Sequence, residues 1–143
     1  MDQMKIGIGK ACITPDIGVE LAGYGYFLER RNTGALMDLW IRGLALEQNG
    51  RRLAILVSDL VGIAQPIVDR AVELISTRCG LPQDAVIIVT THTHTGPAVS
   101  NLCGAGEVDP AYYAGLAAQF ALAAERAFSD LAPVSGLETA QVP

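Results

Sequence analysis

Residues 53–90, LAILVSDLVGIAQPIVDRAVELISTRCGLPQDAVIIVT, hold two short apolar runs with a helical pattern between them. Leu53–Val57 and Ala85–Val89 are strand-sized and apolar on both faces, which is typical of buried strands. Pro66 stands where a helix can begin, apolar residues then recur at helical spacing, and Gly80 is a helix-ending residue. The stretch predicts a βαβ unit with parallel strands and a right-handed crossover.

The sequence before this unit predicts further strands. Asn49-Gly50 separates the apolar runs Leu39–Glu47 and Arg52–Leu60, and this dipeptide favours the tight turn of an antiparallel hairpin. Ile6–Ile13 alternates large and small residues as a packed strand does. We therefore expect an α/β fold in which a mixed sheet contains a β-hairpin and a βαβ unit, with helices packed on the sheet.

The sequence after this unit predicts one long helix. Asp109 and Pro110 are typical of a helix start, and the pattern continues to about Phe128. This helix is apolar almost all round, which indicates burial on more than one side. We expect a partner surface for it, either in a homo-oligomer or in sequence outside the chain. The segment 134–142 is predicted to form another strand, and residues 1–143 to form a single domain.

Composition excludes several classes of protein. The 143 residues carry a net charge of −5, which argues against a nucleic-acid-binding protein. Arg30-Arg31 and Arg51-Arg52 are interpreted as solvated surface pairs. No apolar run is long enough to span a membrane. The N-terminus, Met1–Lys5, lacks a signal-peptide pattern, which predicts a cytoplasmic location. Three cysteines, Cys12, Cys79 and Cys103, are expected to be reduced thiols.

The candidate site is Thr91-His92-Thr93-His94-Thr95-Gly96-Pro97, which contains both histidines of the chain. On extended backbone, side chains two positions apart point to the same face, so both imidazoles can reach one point. They follow the carboxyl end of a predicted parallel strand, where open α/β sheets bind ligands. The threonine hydroxyls are expected to orient the rings or a water. The alternative is a pair of surface histidines.

A catalytic zinc takes three protein ligands and one open position. Asp59 is the best candidate for a further ligand because it ends the neighbouring strand, although it can instead cap the Gly62–Pro66 turn. Other candidates are Cys103, Glu107 and Asp109, of which the first two lie in a glycine-containing segment more typical of an ordinary loop.

Residues 15–38 form a long segment rich in glycine and aromatic residues, of a kind that is uncommon without a function. Within it, Gly23 and Tyr24 are candidate substrate-binding residues. Simple packing beneath the loop is the alternative. Neither glycine pair of the chain has phosphate-loop spacing, and Ser58 lacks the elbow of a serine nucleophile.

The chain resembles a known family, the N-terminal domain of the neutral/alkaline non-lysosomal ceramidases and their shorter bacterial relatives. The THTH(S/T)GP element is the most specific part of the resemblance. The matching segments occur in the family's order: Ile6–Pro15, Leu21–Gly25, Ile41–Leu46, Leu56–Gly62 and Thr91–Pro97.

The resemblance implies a zinc amidohydrolase that cleaves an N-acyl amide of a lipid-like, ceramide-type substrate. It implies that His92 binds zinc and that His94 contacts the reacting substrate. The family's other ligands, a histidine, a glutamate and a tyrosine, come from sequence beyond the matched region. The family also commonly has a histidine where this chain reads Leu36–Arg42. We therefore expect a truncated piece of a larger α/β catalytic domain.

Two alternatives remain open. One is a non-catalytic, truncated ceramidase-like module that folds, dimerises through the 111–128 helix and holds an incomplete metal site. The other is a different zinc hydrolase in which His92, His94 and Asp59 converge on one metal.

Overall fold

A computed structural model describes residues 3–25, 27, 29–100 and 106–141. The described residues form a five-stranded mixed sheet with the strand order β4-β3-β2-β1-β5. The elements are β1 Lys5–Cys12, β2 Trp40–Gln48, β3 Arg51–Ser58, α1 Gln65–Cys79, β4 Val86–Thr90, α2 Pro110–Ser129 and β5 Ala132–Pro133. The predicted fold class, an α/β fold with a mixed sheet and helices packed on it, is confirmed.

The hairpin and the βαβ unit both form as predicted. β2 and β3 pair antiparallel, and their turn is made by Asn49 and Gly50, whose φ angles are 49° and 73°. β3 and β4 pair parallel across the α1 crossover. Gly80 ends α1 in the left-handed conformation, with φ 65°. Glycine adopts this conformation at the least cost, so the predicted stop is explained by backbone chemistry.

One face of the sheet is covered by α1 and α2, and the core lies between the helices and the strands. Asp109 caps α2 by accepting a hydrogen bond from the Tyr112 amide. The helix lies close on β1 and β2 because glycine stands beneath it: a Cβ on Gly43 would lie 2.9 Å from the Ala123 carbonyl oxygen. Phe120 is fully buried there. The long helix thus finds its packing surface within the chain.

Two strand predictions need correction. Ala85–Val89 was expected to be buried on both sides, yet β4 is an edge strand of the described sheet. Its Ile87 and Val89 side chains are 44% and 43% exposed. No strand forms over residues 134–141, and β5 is a two-residue strand at Ala132–Pro133. Neither helix of the described residues is long and apolar enough to cross a membrane.

The described residues of the long segment 15–38 fold back as a narrow ribbon against the candidate site. Glu20 forms an antiparallel bridge with Arg31, and Leu21 forms another with Pro97. The Ala22 amide donates to the Gly96 carbonyl at 2.9 Å. These bonds join the ribbon to the residues that follow the two histidines. We call its described residues 23–25 and 27 the ribbon tip.

Candidate functional site

The backbone turns sharply at the first histidine. The Thr91 amide donates to the Ser58 carbonyl at 2.9 Å, which extends the β3–β4 ladder by one bond. His92 then has a φ of +60°, in the left-handed region. The expectation that the two histidines share an extended backbone is therefore wrong. They come together through a turn that a residue other than glycine adopts only at a cost.

The two imidazoles nevertheless lie side by side. Their ring centroids are 4.9 Å apart, with an angle of 71° between the ring planes. His92 Nδ1 lies 2.6 Å from the carbonyl oxygen of Val61. A carbonyl can only accept, so Nδ1 carries the proton in this bond. In the neutral ring Nε2 then keeps its lone pair, and a backbone carbonyl on the other nitrogen is the usual partner of a metal-binding histidine.

His94 is held from the ribbon side. Gly23, with φ +115°, packs directly on it: a Cβ there would lie 2.5 Å from His94 Cβ and 2.8 Å from its Cγ. Tyr24 meets the His94 ring edge to face, with centroids 5.7 Å apart. The structure thus places both predicted substrate-binding residues, Gly23 and Tyr24, in contact with His94. Their role toward a substrate stays a prediction.

Arg30 was not anticipated as part of this site. Its Nη2 donates to the carbonyl oxygens of Ala22 at 2.8 Å and His94 at 3.0 Å. Its guanidinium carbon lies 4.5 Å from the centre of the Tyr24 ring. The interpretation of Arg30 as a solvated surface residue is wrong, and Arg52 is a second exception because it packs on Phe128. Arg30 ties the ribbon tip to the histidine motif.

Asp59 has other partners in this structure. Both of its carboxylate oxygens accept from Arg42 Nη1, at 2.9 and 2.8 Å. The Trp40 amide donates to Asp59 Oδ2 at 3.0 Å, and the Thr91 hydroxyl donates to Oδ1 at 3.4 Å. The Asp59 side chain is 14% exposed. Through these bonds the Asp59 carboxylate connects the ends of β2, β3 and β4. We call this role a brace, because the carboxylate holds the strand ends together beside Thr91, which precedes His92.

Among the hydrogen bonds of the described residues, none joins a threonine hydroxyl of the motif to either imidazole ring. Thr91 bonds to Asp59, and the Thr93 and Thr95 hydroxyls lie 3.2 Å from each other. Of the other ligand candidates, Asp109 serves as the α2 cap, Glu107 is exposed, and Cys103 lies outside the described residues. Over residues 3–25, 27, 29–100 and 106–141, no three His, Cys, Asp or Glu side chains form a metal-binding group.

Two solved structures with a similar fold are ceramidases. The chain superposes on neutral ceramidase from Pseudomonas aeruginosa with a TM-score of 0.77 and 26% identity, over 92% of this chain and 22% of that one. A ceramidase complexed with C2 gives a TM-score of 0.74, again with 26% identity, 92% coverage of this chain and 22% of that chain. No protein-family profile matches the chain, and no curated protein does.

The chain therefore has a ceramidase-like α/β fold, and it corresponds to a part of a larger ceramidase domain. It spans 22% of the length of each solved chain that it matches. The predicted resemblance to the neutral ceramidases is confirmed at the level of the fold.

Proposed function

We propose that the protein containing this chain is a zinc-dependent amidohydrolase that cleaves an N-acyl amide of a lipid-like, ceramide-type molecule. The observation that carries the proposal is the bond from His92 Nδ1 to the Val61 carbonyl. That bond leaves Nε2 as the free nitrogen, directly after the carboxyl end of a parallel strand. The similarity to neutral ceramidase supports the same reaction class.

His92 is the residue that would hold the metal in this chain. Its left-handed backbone and its short bond to Val61 fix the ring in one orientation, as a ligand needs. A bound zinc supplies Lewis acidity, which lowers the pKa of water and polarises an amide carbonyl. The described residues offer fewer than three grouped ligands, so the remaining ones would come from elsewhere. Asp59, which is already bound by Arg42, contributes by bracing the strand ends.

His94 is the residue that would act on the substrate. Its ring lies beside that of His92, and its backbone is held by Gly23 and Arg30. A neutral imidazole at this position can donate a hydrogen bond to a developing oxyanion or carry a proton to the leaving amine. Fixing the ring before substrate binds lowers the cost of reaching that geometry.

The side chains of the ribbon tip favour an apolar substrate. Tyr24 is 51% exposed and Phe27 is 75% exposed, and Tyr24 contacts His94 directly. An exposed aromatic ring next to a polar reacting centre suits a molecule with an amide head and a hydrocarbon chain. This is the structural support for a lipid-like amide.

A second candidate function is a non-catalytic ceramidase-like module. The observation in its favour is that the described residues contain no group of three potential ligands. In that case this polypeptide would fold and hold only part of a metal site. The two proposals differ in what they predict for zinc.

The deciding experiment uses the whole protein that contains this chain, purified without a metal-affinity tag and dialysed against zinc, and counts its bound zinc by mass spectrometry. A hydrolase site predicts near-stoichiometric zinc that is lost in His92→Ala and kept in Glu107→Gln, a matched change at an exposed candidate ligand. Hydrolysis of a fluorogenic N-acyl amide should disappear in both His92→Ala and His94→Ala. Protein that binds no zinc and cleaves no amide would instead support the non-catalytic module.

A further inference from the structure

The Arg30 side chain connects the ribbon to the backbone of His94. The Arg30 carbonyl accepts from the Leu21 amide at 2.9 Å, so its own backbone is fixed within the ribbon. Its Nη2 atom then donates to the carbonyl oxygens of Ala22 at 2.8 Å and His94 at 3.0 Å. A guanidinium presents its N–H groups in a fixed plane. The two bonds from one nitrogen therefore hold the two carbonyls in a set arrangement.

A row of planar groups runs from Arg30 to His92. The Arg30 guanidinium carbon lies 4.5 Å from the centre of the Tyr24 ring, which is within the range of a cation–π contact. Tyr24 meets the His94 ring at 5.7 Å, and the His94 ring lies 4.9 Å from that of His92. Arg30 thus reaches His94 in two ways, directly at the backbone carbonyl and through Tyr24 at the ring.

The position of the Tyr24 ring depends on Arg30. Tyr24 is 51% exposed, and an exposed side chain changes rotamer readily. A cation over the face of the ring favours one arrangement among those that are open to it. Removal of the guanidinium should therefore release the Tyr24 ring and the His94 carbonyl together.

The backbone on the other side of His94 is restrained independently of Arg30. The Ala22 amide donates to the carbonyl of Gly96, two residues after His94, at 2.9 Å. Gly23 packs against His94 so closely that a Cβ there would lie 2.5 Å from His94 Cβ. Loss of the Arg30 side chain should thus leave the ribbon attached to the motif while loosening the imidazole itself.

We propose that Arg30 is a positioning residue, which holds the His94 imidazole in its reactive place through Tyr24 and the His94 carbonyl. This inference rests on the proposed function, in which His94 would act on the substrate amide. A catalytic group that is displaced by about 1 Å can lose about 100-fold in rate. Because the bonds of Arg30 are made to the protein, its loss should lower kcat and leave the binding of substrate unchanged.

Steady-state kinetics of the whole protein that contains this chain tests the role of Arg30, with a fluorogenic N-acyl amide as substrate. Arg30→Met should lower kcat about 10- to 100-fold, with KM and bound zinc at their wild-type values. Arg30→Lys keeps the charge without the planar fork and should restore part of kcat. The matched control is Arg31→Met, which removes the same charge at the next position. Arg31 Nη1 donates to the Gly18 carbonyl at 3.0 Å, and the control should keep the wild-type kcat.

Histidine resonances separate positioning from a general loss of structure. In whole protein labelled with ¹³C at histidine Cε1, the resonance that disappears in His94→Gln belongs to His94. It should shift or broaden in Arg30→Met and stay in place in Arg31→Met, with or without zinc. Circular dichroism checks folding. If Arg30→Met does not fold, Arg30→Lys takes its place in both measurements, with a smaller fall in kcat and a shifted His94 resonance expected.

The outcomes distinguish this inference from the proposed function. A wild-type protein that binds no zinc and cleaves no amide would overturn the proposed function, and the role of Arg30 in it. An active wild-type protein whose kcat survives the loss of Arg30 would overturn the inference alone. The same holds for a rise in KM at constant kcat, for equal losses in Arg30→Met and Arg31→Met, and for a fall in kcat without any change in the His94 resonance.

Discussion

The Nδ1 atom of His92 lies 2.6 Å from the carbonyl oxygen of Val61, and this contact links the turn after β3 to the histidine motif after β4. The carbonyl can only accept, so it selects one tautomer of the ring. The same contact accompanies a left-handed backbone at His92. Local strain of this kind persists when the surroundings hold it in place, and it occurs often at functional sites.

We expect neutral His92 to carry its proton on Nδ1. Long-range ¹H–¹⁵N correlation spectra distinguish the two ring nitrogens, and the chain has only two histidines to assign. A His94→Gln variant identifies the remaining signals as those of His92. Added zinc should then perturb Nε2 of His92 far more than Nδ1. A proton found on Nε2 would contradict the ligand role that we propose for this nitrogen.

Gly23→Ala should destabilise the protein by about 1–3 kcal/mol more than Gly18→Ala. Both glycines have positive φ, at +115° and +98°, so both substitutions carry backbone strain. A Cβ on Gly23 would overlap His94, whereas a Cβ on Gly18 meets nothing within 4 Å. Urea unfolding measures the difference. Only Gly23→Ala should shift the His94 ring signals, and equal effects of the two substitutions would contradict the contact.

Asp59→Asn should cost about 1–2 kcal/mol of unfolding free energy, since it weakens bonds to a charged partner and to a backbone amide. The partners whose bonds weaken are Arg42 and the amide of Trp40. Trp40 is the single tryptophan of the chain, so its fluorescence reports both unfolding and the local change. Glu73→Gln breaks an exposed pair with Arg70 and should cost no more than about 0.5 kcal/mol. A similar small effect for Asp59→Asn would mean that the carboxylate is not a brace.

Features encoded within a short stretch were predictable from sequence. Asn49-Gly50 adopts the positive φ angles that a two-residue hairpin turn requires, and Asp109 caps α2 through its own side chain. Each depends on residues at most a few positions apart. The βαβ unit was predictable from two apolar strand-sized runs, the helical spacing between them and the right-handed crossover rule. The parallel pairing of β3 and β4 confirms this prediction.

Features that depend on distant contacts were not predictable. The bend at His92 depends on Val61, 31 positions away. The role of Arg30 depends on His94, 64 positions away. Arginine pairs in loops are usually solvated, so no local pattern predicts that bond. The open side of β4 was missed for a related reason: an apolar run indicates that a face will be covered, and it does not indicate by what.

Tyr112 should make stability fall at high pH. Burial raises the pKa of the Tyr112 phenol, with the nearby Cys12 as a smaller cause, and its hydroxyl donates to the Ile13 carbonyl at 2.6 Å. The folded protein therefore holds this proton more tightly than the unfolded chain, in which the pKa of tyrosine is about 10. The stabilisation is complete below pH ~10 and is lost as the pH rises toward the folded-state pKa, at about 1.4 kcal/mol per pH unit.

Tyr112→Phe isolates this effect. At neutral pH the variant should lose about 1 kcal/mol because the hydrogen bond to Ile13 is gone. Above pH ~10 ionisation of Tyr112 stabilises the unfolded wild-type chain, whereas the folded protein keeps the phenol neutral. The variant lacks this ionisation, so the urea midpoints of the two proteins should converge. Tyr113→Phe, at the next position of α2, is the matched control and should keep the wild-type pH dependence. The contrary result is a difference in urea midpoint between Tyr112→Phe and wild type that stays constant up to pH ~11. It would mean that Tyr112 ionises at an ordinary pKa of about 10 in both the folded and the unfolded state, so that its burial does not govern alkaline unfolding.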